Sequence, residues 1–237
     1  DKFCTFCVVP FTRGREKSRL LLEVYEDVLN LVENRGVKEV TLLGQTVNSY
    51  GKKNGESFSD LLRKISAIKG LELIRYTSPH PSDMTDDLIE CHRDLPNLAK
   101  HVHLPLQSGS DRILRLMKRD YSVETYKNIV EKFRKNVPDI SITTDIIVGF
   151  PGEVESEFRE TLELLKLIKY DSVYSFVYSI RPGTKASDML ETISLSEKKS
   201  RLRELQQEQL KIQEEKNKRR VGSRYRVFVE GKSKKEN

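Results

Sequence analysis

Strand and helix patterns alternate along almost the whole chain, and this alternation limits its fold more than any other feature. Residues 20–35 place Leu21, Val24, Tyr25, Val28, Leu31 and Val32 on one helical face, and Gly36 stops that helix. Val37–Leu43 is a short β-branched strand. Phe58, Leu61, Leu62, Ile65 and Ile68 mark a second helix ending at Gly70, followed by a strand over Leu71–Thr77 and a helix over 83–93. A short strand at His101–Pro105, helices at 110–118 and 122–135, a strand at Ser141–Val148, a helix at 156–169 and a strand at Asp171–Tyr178 complete the series. Strands separated by helices pair in parallel, as an open doubly wound sheet or as a barrel. The pattern begins with a helix, so a strand just upstream of residue 1 would complete six units.

In both architectures ligands bind at the carboxyl ends of the strands. Those ends read Gly44-Gln45-Thr46-Val47-Asn48, Ser78-Pro79-His80-Pro81, Pro105-Leu106-Gln107-Ser108-Gly109-Ser110, Gly149-Phe150-Pro151-Gly152-Glu153 and Ser179-Ile180-Arg181-Pro182-Gly183-Thr184. Each alone is an ordinary turn. Together they predict a polar cofactor spread across the strand ends, where glycine lets the backbone come close.

Residues 196–220 read as a long polar helix with a narrow apolar stripe of Leu202, Leu205 and Ile212, the pattern of a helix bridging two domains. Arg224–Glu230 alternates like a first β-strand. The expected division is therefore 1–195, 196–220 and 221–237. Charge follows this division. Residues 216–237 hold nine Lys/Arg against two Glu, net +7, and residues 1–19 hold five against two acids, net +3, leaving the body at −4. Basic ends on an acidic body suit a nucleic-acid footprint, and equally a solvated helix end and tail. No apolar run approaches the roughly 18 residues of a membrane span. No signal peptide precedes Cys4. Three cysteines do not make a disulfide scaffold, so a reducing cytoplasm is expected.

Two of those cysteines form Cys4-Thr5-Phe6-Cys7. The spacing alone is shared by zinc sites, iron–sulfur sites and redox dithiols. Zinc needs two more ligands, and the one close histidine pair is His101 with His103. A thioredoxin-like dithiol opens a helix after a strand, which Val8-Val9-Pro10 argues against. An iron–sulfur cluster with three thiolates and one open iron needs a third cysteine; Cys91 lies in a helix pattern far along the chain and reads as an ordinary thiol.

At this point the residues resemble a known family, the radical-SAM methylthiotransferases, whose cluster pattern is Cys-x3-Cys-x2-Cys. Asp1–Cys7 supplies its last seven positions, and the first cysteine would be the residue immediately before Asp1. Within that family the likeness is to MiaB-type enzymes, carried by Pro10–Arg19, by Leu42-Leu43-Gly44-Gln45-Thr46-Val47-Asn48-Ser49-Tyr50, where the family usually has Asn at the position of Thr46, and by Leu104–Ser110. The ribosomal-protein branch usually reads Leu-Gln-His where this chain has Leu106-Gln107-Ser108, and the threonylcarbamoyladenosine branch usually lacks the Gly-Gln-x-Val-Asn run.

The resemblance implies an α/β fold, a partial (β/α)6 radical-SAM barrel lacking its first strand, followed by the start of a small β-barrel, the TRAM domain. It implies a SAM-binding 4Fe–4S cluster on Cys4 and Cys7, S-adenosyl-L-methionine as cosubstrate, and an auxiliary 4Fe–4S cluster in an amino-terminal domain outside this sequence. The implied reaction methylthiolates a prenylated adenosine beside the tRNA anticodon, with an external flavodoxin-like electron donor and a monomeric full-length protein. Under it, Phe6 packs on the SAM adenine or shields the cluster. Gln45 and Asn48 take the methionine end of SAM, Gln107 and Ser108 the ribose or sulfonium region, and Arg119 the SAM carboxylate, unless it is an exposed helix-end arginine. Asp145 touches SAM or substrate, and Gly149 and Tyr178 lie by the adenine, with Glu153 favouring the start of the next helix. Arg13, Arg15, Lys218, Arg219, Arg220, Arg224 and Arg226 face tRNA. The rival readings are the ribosomal-protein and threonylcarbamoyladenosine branches and, in a different class, a noncatalytic RNA-binding protein.

Overall fold

A computed structural model describes residues 2–225, 227–229 and 231–232. The order of elements is α1 (Val9–Arg13), α2 (Leu21–Arg35), β1 (Glu39–Leu42), α3 (Phe58–Ser66), β2 (Leu73–Tyr76), α4 (Asp86–Asp94), β3 (His101–His103), α5 (Asp111–Leu116), α6 (Val123–Asn136), β4 (Ser141–Val148), α7 (Glu155–Ile168), β5 (Ser172–Val177) and α8 (Leu195–Arg220). Side-chain oxygens of Ser57, Thr85, Ser122 and Ser194 accept from backbone N–H groups in the first turns of α3, α4, α6 and α8.

All strand pairs are parallel. β1 pairs with β2, and β3, β4 and β5 form a second sheet in that order. An isolated bridge, Ile74 to Leu98, sets β2 beside the residues that lead into β3: the Ile74 N–H donates to Asn97 O at 2.7 Å and Ala99 N–H to Ile74 O at 2.9 Å. Strands therefore follow one another in space as they do in sequence. A doubly wound sheet reverses strand order at a switch point, and no reversal occurs here. No strand pair closes the sheet into a barrel among the described residues.

The core lies between strands and helices. Val40, Ile74, Tyr76, Val102, Ile142, Ile146 and Val148 pack against Val28, Leu62, Ile65, Leu88, Phe133, Phe158 and Leu165 of the surrounding helices. Strand alternation turns the intervening side chains to the opposite face. There Arg75 pairs with Glu39 at 2.6 Å, and His101 and His103 both contact Thr143 Oγ1 at 3.1 and 3.0 Å.

Two expectations change. The helix over 196–220 does not stand off as a bridge. α8 lies along β5 with Leu205 and Ile212 in the core, and it buries polar side chains too. Gln209 donates to Tyr170 O and Gln213 to Asp171 O, each at 3.1 Å, while Lys216 and Arg220 both pair with Asp171 at 2.7 Å. Its stripe is narrow because Lys198, Arg201 and Gln209 share its buried face with Leu205 and Ile212. The β-strand expected over Arg224–Glu230 does not form in its described residues, and no TRAM domain is seen among the described residues; Arg226 and Glu230 lie outside them.

Candidate active site

The Cys4–Cys7 segment is a hydrogen-bonded turn, with Cys7 N–H donating to Cys4 O at 3.1 Å. Thr5, between the two cysteines, is buried and fastens the turn to distant parts of the chain. Its N–H donates to Met117 O at 3.1 Å, its hydroxyl to Leu116 O at 2.8 Å, and its carbonyl accepts from Ala186 N–H at 2.9 Å. Leu116 and Met117 end α5, so Thr5 satisfies carbonyls that a helix terminus leaves open. Contrary to the reading of Pro10 as a helix obstacle, α1 begins two residues after Cys7. Proline sits in its first turn, where no N–H is needed.

Both cysteines are half-buried and line a cavity of about 280 Å³. Its other walls are Lys2, Phe6, Val9, Pro10, Gly14 and Glu16, then Gln45 and Thr46 beyond β1, Ser78 and His80 beyond β2, Gln107 beyond β3, and Arg119. Three of the five strand-end turns thus reach it. Two of those wall residues carry backbone strain: Ser78 has φ 58° and Gln107 φ 74°. Left-handed conformations at residues other than glycine cost of order 1–3 kcal/mol and cluster at functional sites.

Of the expected cofactor residues, Phe6, Gln45, Gln107 and Arg119 line the cavity with the cysteines. Arg119 is buried rather than an exposed helix end, and its Nη1 donates to Cys4 Sγ at 3.3 Å. Asn48 is buried beside the cavity, and both ends of its amide are engaged with a backbone. Nδ2 donates to His80 O at 2.9 Å and Oδ1 accepts from His80 N–H at 2.8 Å. Ser108 is fully buried and accepts from Ser110 N–H at 3.2 Å. Asp145 lies on β4, 3.3 Å from His103 Nε2, outside the lining. Gly149 (φ 70°) and Tyr178 also lie outside it, but an aromatic chain links them to the cysteine turn. Phe6 meets Phe150 edge-on at 6.4 Å, and Phe150 meets Tyr178 at 5.2 Å. Glu153 is turned away from the start of α7. Its carboxylate accepts from Gly149 N–H at 2.8 Å and pairs with Arg201 of α8 at 2.9 Å.

The expected tRNA residues fall in two places. Arg13 and Arg15 are exposed and line an open groove with Gly14, Glu16, Lys17 and Gln45, so groove and cavity share Gly14, Glu16 and Gln45. At the far end of α8, Arg219 pairs with Glu215 at 2.5 Å and Arg220 with Asp171, while Lys218 and Arg224 are exposed. His101 and His103, the pair weighed for zinc, do not line the cysteine cavity, and no group of three or more metal-ligating side chains occurs among the described residues.

His80, Ser78 and Thr5 were not assigned to the site from the sequence, and only their position after Cys4 or after a strand end could have suggested them. His80 is buried, with Nδ1 on Ser82, and burial together with Arg119 holds its pKa down at about 3. Burial likewise holds His92, hydrogen-bonded to Tyr76 and Ala99 O, down at about 4. Both stay neutral in the fold, whereas the unfolded chain protonates them below about pH 6.5. Stability is therefore full above that pH and falls as pH drops toward about 4. Each site contributes up to about 1.4 kcal/mol per pH unit. Urea unfolding should show a lower midpoint at about pH 5 than at about pH 7.5, and His92→Gln should flatten the dependence. A midpoint that does not move would show these imidazoles are not held neutral.

Residues 1–165 match the Radical SAM superfamily. The chain belongs to that superfamily. It is 48% identical over 236 residues to the tRNA-2-methylthio-N(6)-dimethylallyladenosine synthase of Acetivibrio thermocellus, covering 99% of this chain and 49% of that protein. The same figure holds for the synthase of that name in Stutzerimonas stutzeri, over 100% of this chain and 54% of that protein. The resemblance to MiaB-type methylthiotransferases stands on these matches, and the chain spans about half the length of the curated relatives it matches. Among solved radical-SAM enzymes, the fold is similar to the methyltransferase TsrM from Kitasatospora setae (TM-score 0.65, 18% identity, 78% of this chain and 36% of that one). It is also similar to coproporphyrinogen III oxidase from Escherichia coli (TM-score 0.59, 19% identity, 87% of this chain and 50% of that one). No helix among the described residues is long and apolar enough to cross a membrane.

Proposed function

We propose that the protein containing this chain adds a methylthio group to the adenine ring of a prenylated adenosine beside the tRNA anticodon, in the cytoplasm. The observation that carries this reading is the cavity itself. Two thiols on one fastened turn face the carboxyl ends of three parallel strands, in a chain nearly half identical to synthases of that modification along its whole length.

The residues present fit an iron–sulfur cluster. Cys4 and Cys7 are soft ligands one hydrogen-bonded turn apart, and a buried guanidinium lies against the Cys4 sulfur. The third thiolate would come from outside the described residues. When bound, the cluster with SAM supplies one-electron cleavage of the sulfonium and, through the resulting radical, hydrogen abstraction from the adenine.

This chain's own residues position and shield. Gln45 and Gln107 offer amides to the polar parts of SAM, with Gln107 aimed by its strained backbone. Asn48 holds the His80 turn and Ser108 the Gln107 turn, so both act one step behind the cavity wall. Phe6, Val9 and Pro10 form the apolar side of the cavity, Phe150 and Tyr178 back Phe6 from outside it, and together they exclude water. Asp145 and Gly149 complete the sites proposed for SAM and substrate. Arg13 and Arg15 guide tRNA phosphates to the cavity mouth, and Lys218 with Arg224 offers a second grip.

The sequential strand order supports five staves of a partial (β/α)6 barrel. The TRAM domain, the auxiliary cluster, the external electron donor and the monomeric state belong to the same proposal. Mass spectrometry of tRNA from a strain lacking the gene tests it. Loss of the methylthio nucleoside with accumulation of its prenylated precursor is expected. Unchanged tRNA would end the proposal, and an accompanying loss on a ribosomal protein would move it to that branch.

A further inference from the structure

Among the described residues Arg119 is a buried cation with no carboxylate partner. It is 9% exposed, and among the described residues its partners are Tyr121 Oη at 2.9 Å, Pro105 O at 3.2 Å and Cys4 Sγ at 3.3 Å. The first two are neutral. The Tyr121 hydroxyl lies 3.0 and 2.8 Å from Pro105 O and Leu106 O, which share its single proton, so it keeps that proton. A guanidinium taken out of water with no anion beside it is strongly disfavoured. The one contacting atom able to carry a full negative charge is the Cys4 sulfur.

The backbone holds this contact in place. Arg119 N–H donates to Leu114 O and Lys118 N–H to Arg115 O, at 2.8 and 2.9 Å, with Lys118 left-handed at φ 57°. That is a Schellman ending of α5 with lysine where glycine is usual. Thr5 caps the same helix end. Cation and thiol are thus fastened to one terminus, and the guanidinium is not a mobile side chain that happens to reach sulfur.

We propose that Arg119 is the counter-charge of the Cys4 thiolate and raises the reduction potential of the cluster that this thiolate would ligate. The proposal rests on the reading that Cys4 and Cys7 hold a 4Fe–4S cluster. Reduction adds one electron, delivered by an external one-electron donor, to an already anionic thiolate-bound cluster. A fixed positive charge and an N–H···S bond both favour the more negative, reduced state. Arg119 is in this sense a positioning and tuning residue, and three of its five N–H groups are committed to that task. Two remain that can face the cavity.

The test is an EPR-monitored redox titration of the reconstituted full-length protein, following the signal that changes when SAM is added, with iron per chain measured alongside. Arg119→Met should make reduction about tenfold less favourable, a shift of about 59 mV to lower potential for one electron. Arg119→Lys, which keeps charge but loses the planar fork, should shift it in the same direction by less. Tyr121→Phe, which releases the guanidinium from one holder, should do likewise. If Arg119→Met does not load iron, the two milder variants decide. Full iron with unchanged potential in the variants that load would overturn the proposal. Iron that survives loss of Cys4 and Cys7 would instead overturn the reading it rests on.

Discussion

Replacing both Cys4 and Cys7 by Ala in the reconstituted full-length protein should remove one cluster's complement of iron and abolish SAM cleavage. The expectation follows from the geometry of the turn. The two thiols lie on one fastened loop, and no group of three or more ligating side chains occurs among the described residues to hold a cluster elsewhere. Circular dichroism should stay close to that of the parent, because Thr5 keeps its three hydrogen bonds and the cysteines themselves are only half-buried. Iron content that does not change between parent and double variant would remove the cluster from this site. Folded protein with a full loss of iron separates ligation from packing.

Arg201→Met should destabilise the fold by about 3–5 kcal/mol, because it leaves the Glu153 carboxylate buried without its cation. Glu153 and Arg201 side chains are 1% and 5% exposed and 2.9 Å apart. Burial already pushes the Glu153 pKa up, against the lowering pull of Gly149 N–H and Arg201. Once the arginine is gone, burial prevails further and the acid takes up a proton. Adding Glu153→Gln to Arg201→Met should recover part of the loss, since the remaining amide can still accept from Gly149 N–H without a charge to bury. The midpoints of urea unfolding for the parent, single and double variants give the comparison. A single variant within about 1 kcal/mol of the parent would show that the pair contributes no more than an exposed bridge.

Periodicity made most of this architecture legible. Ser141–Val148 is a strand over the same eight residues that the alternation marks, and α2, α6 and α7 begin and end within a residue or two of their patterns. These elements are long, and their buried positions repeat over several turns. What failed were short or polar features. Pro10 suggested an interruption, yet a first helical turn accepts proline. The inner face of α8 reads as solvent-facing because many of its inward contacts are made by polar side chains, among them the buried Gln209 and the half-buried Gln213 and Lys216.

The site was legible in part for the same reasons. Cys4, Cys7, Phe6, Gln45, Gln107 and Arg119 were singled out from spacing, strand-end position or resemblance, and the fold brings all six to one cavity. Asn48 was expected to face a ligand, and both ends of its amide bond the His80 backbone. An amide side chain gives no sign in sequence of whether its partner is a ligand or a peptide group. Nor does a sequence show that Ser78 and Gln107 are left-handed, since neither residue type favours it.

The fastening of Thr5 also sets an order of assembly. The cysteine turn is translated before its anchors at Leu116, Met117 and Ala186. At about 5–20 residues per second, the ribosome needs roughly ten to forty seconds to make the intervening chain. Throughout that interval both thiols stand on an unseated loop, open to oxidation and to whichever soft metal arrives first. Loading the cluster proposed for this site would therefore be as much a matter of timing and of the redox state around the nascent chain as of the ligands themselves.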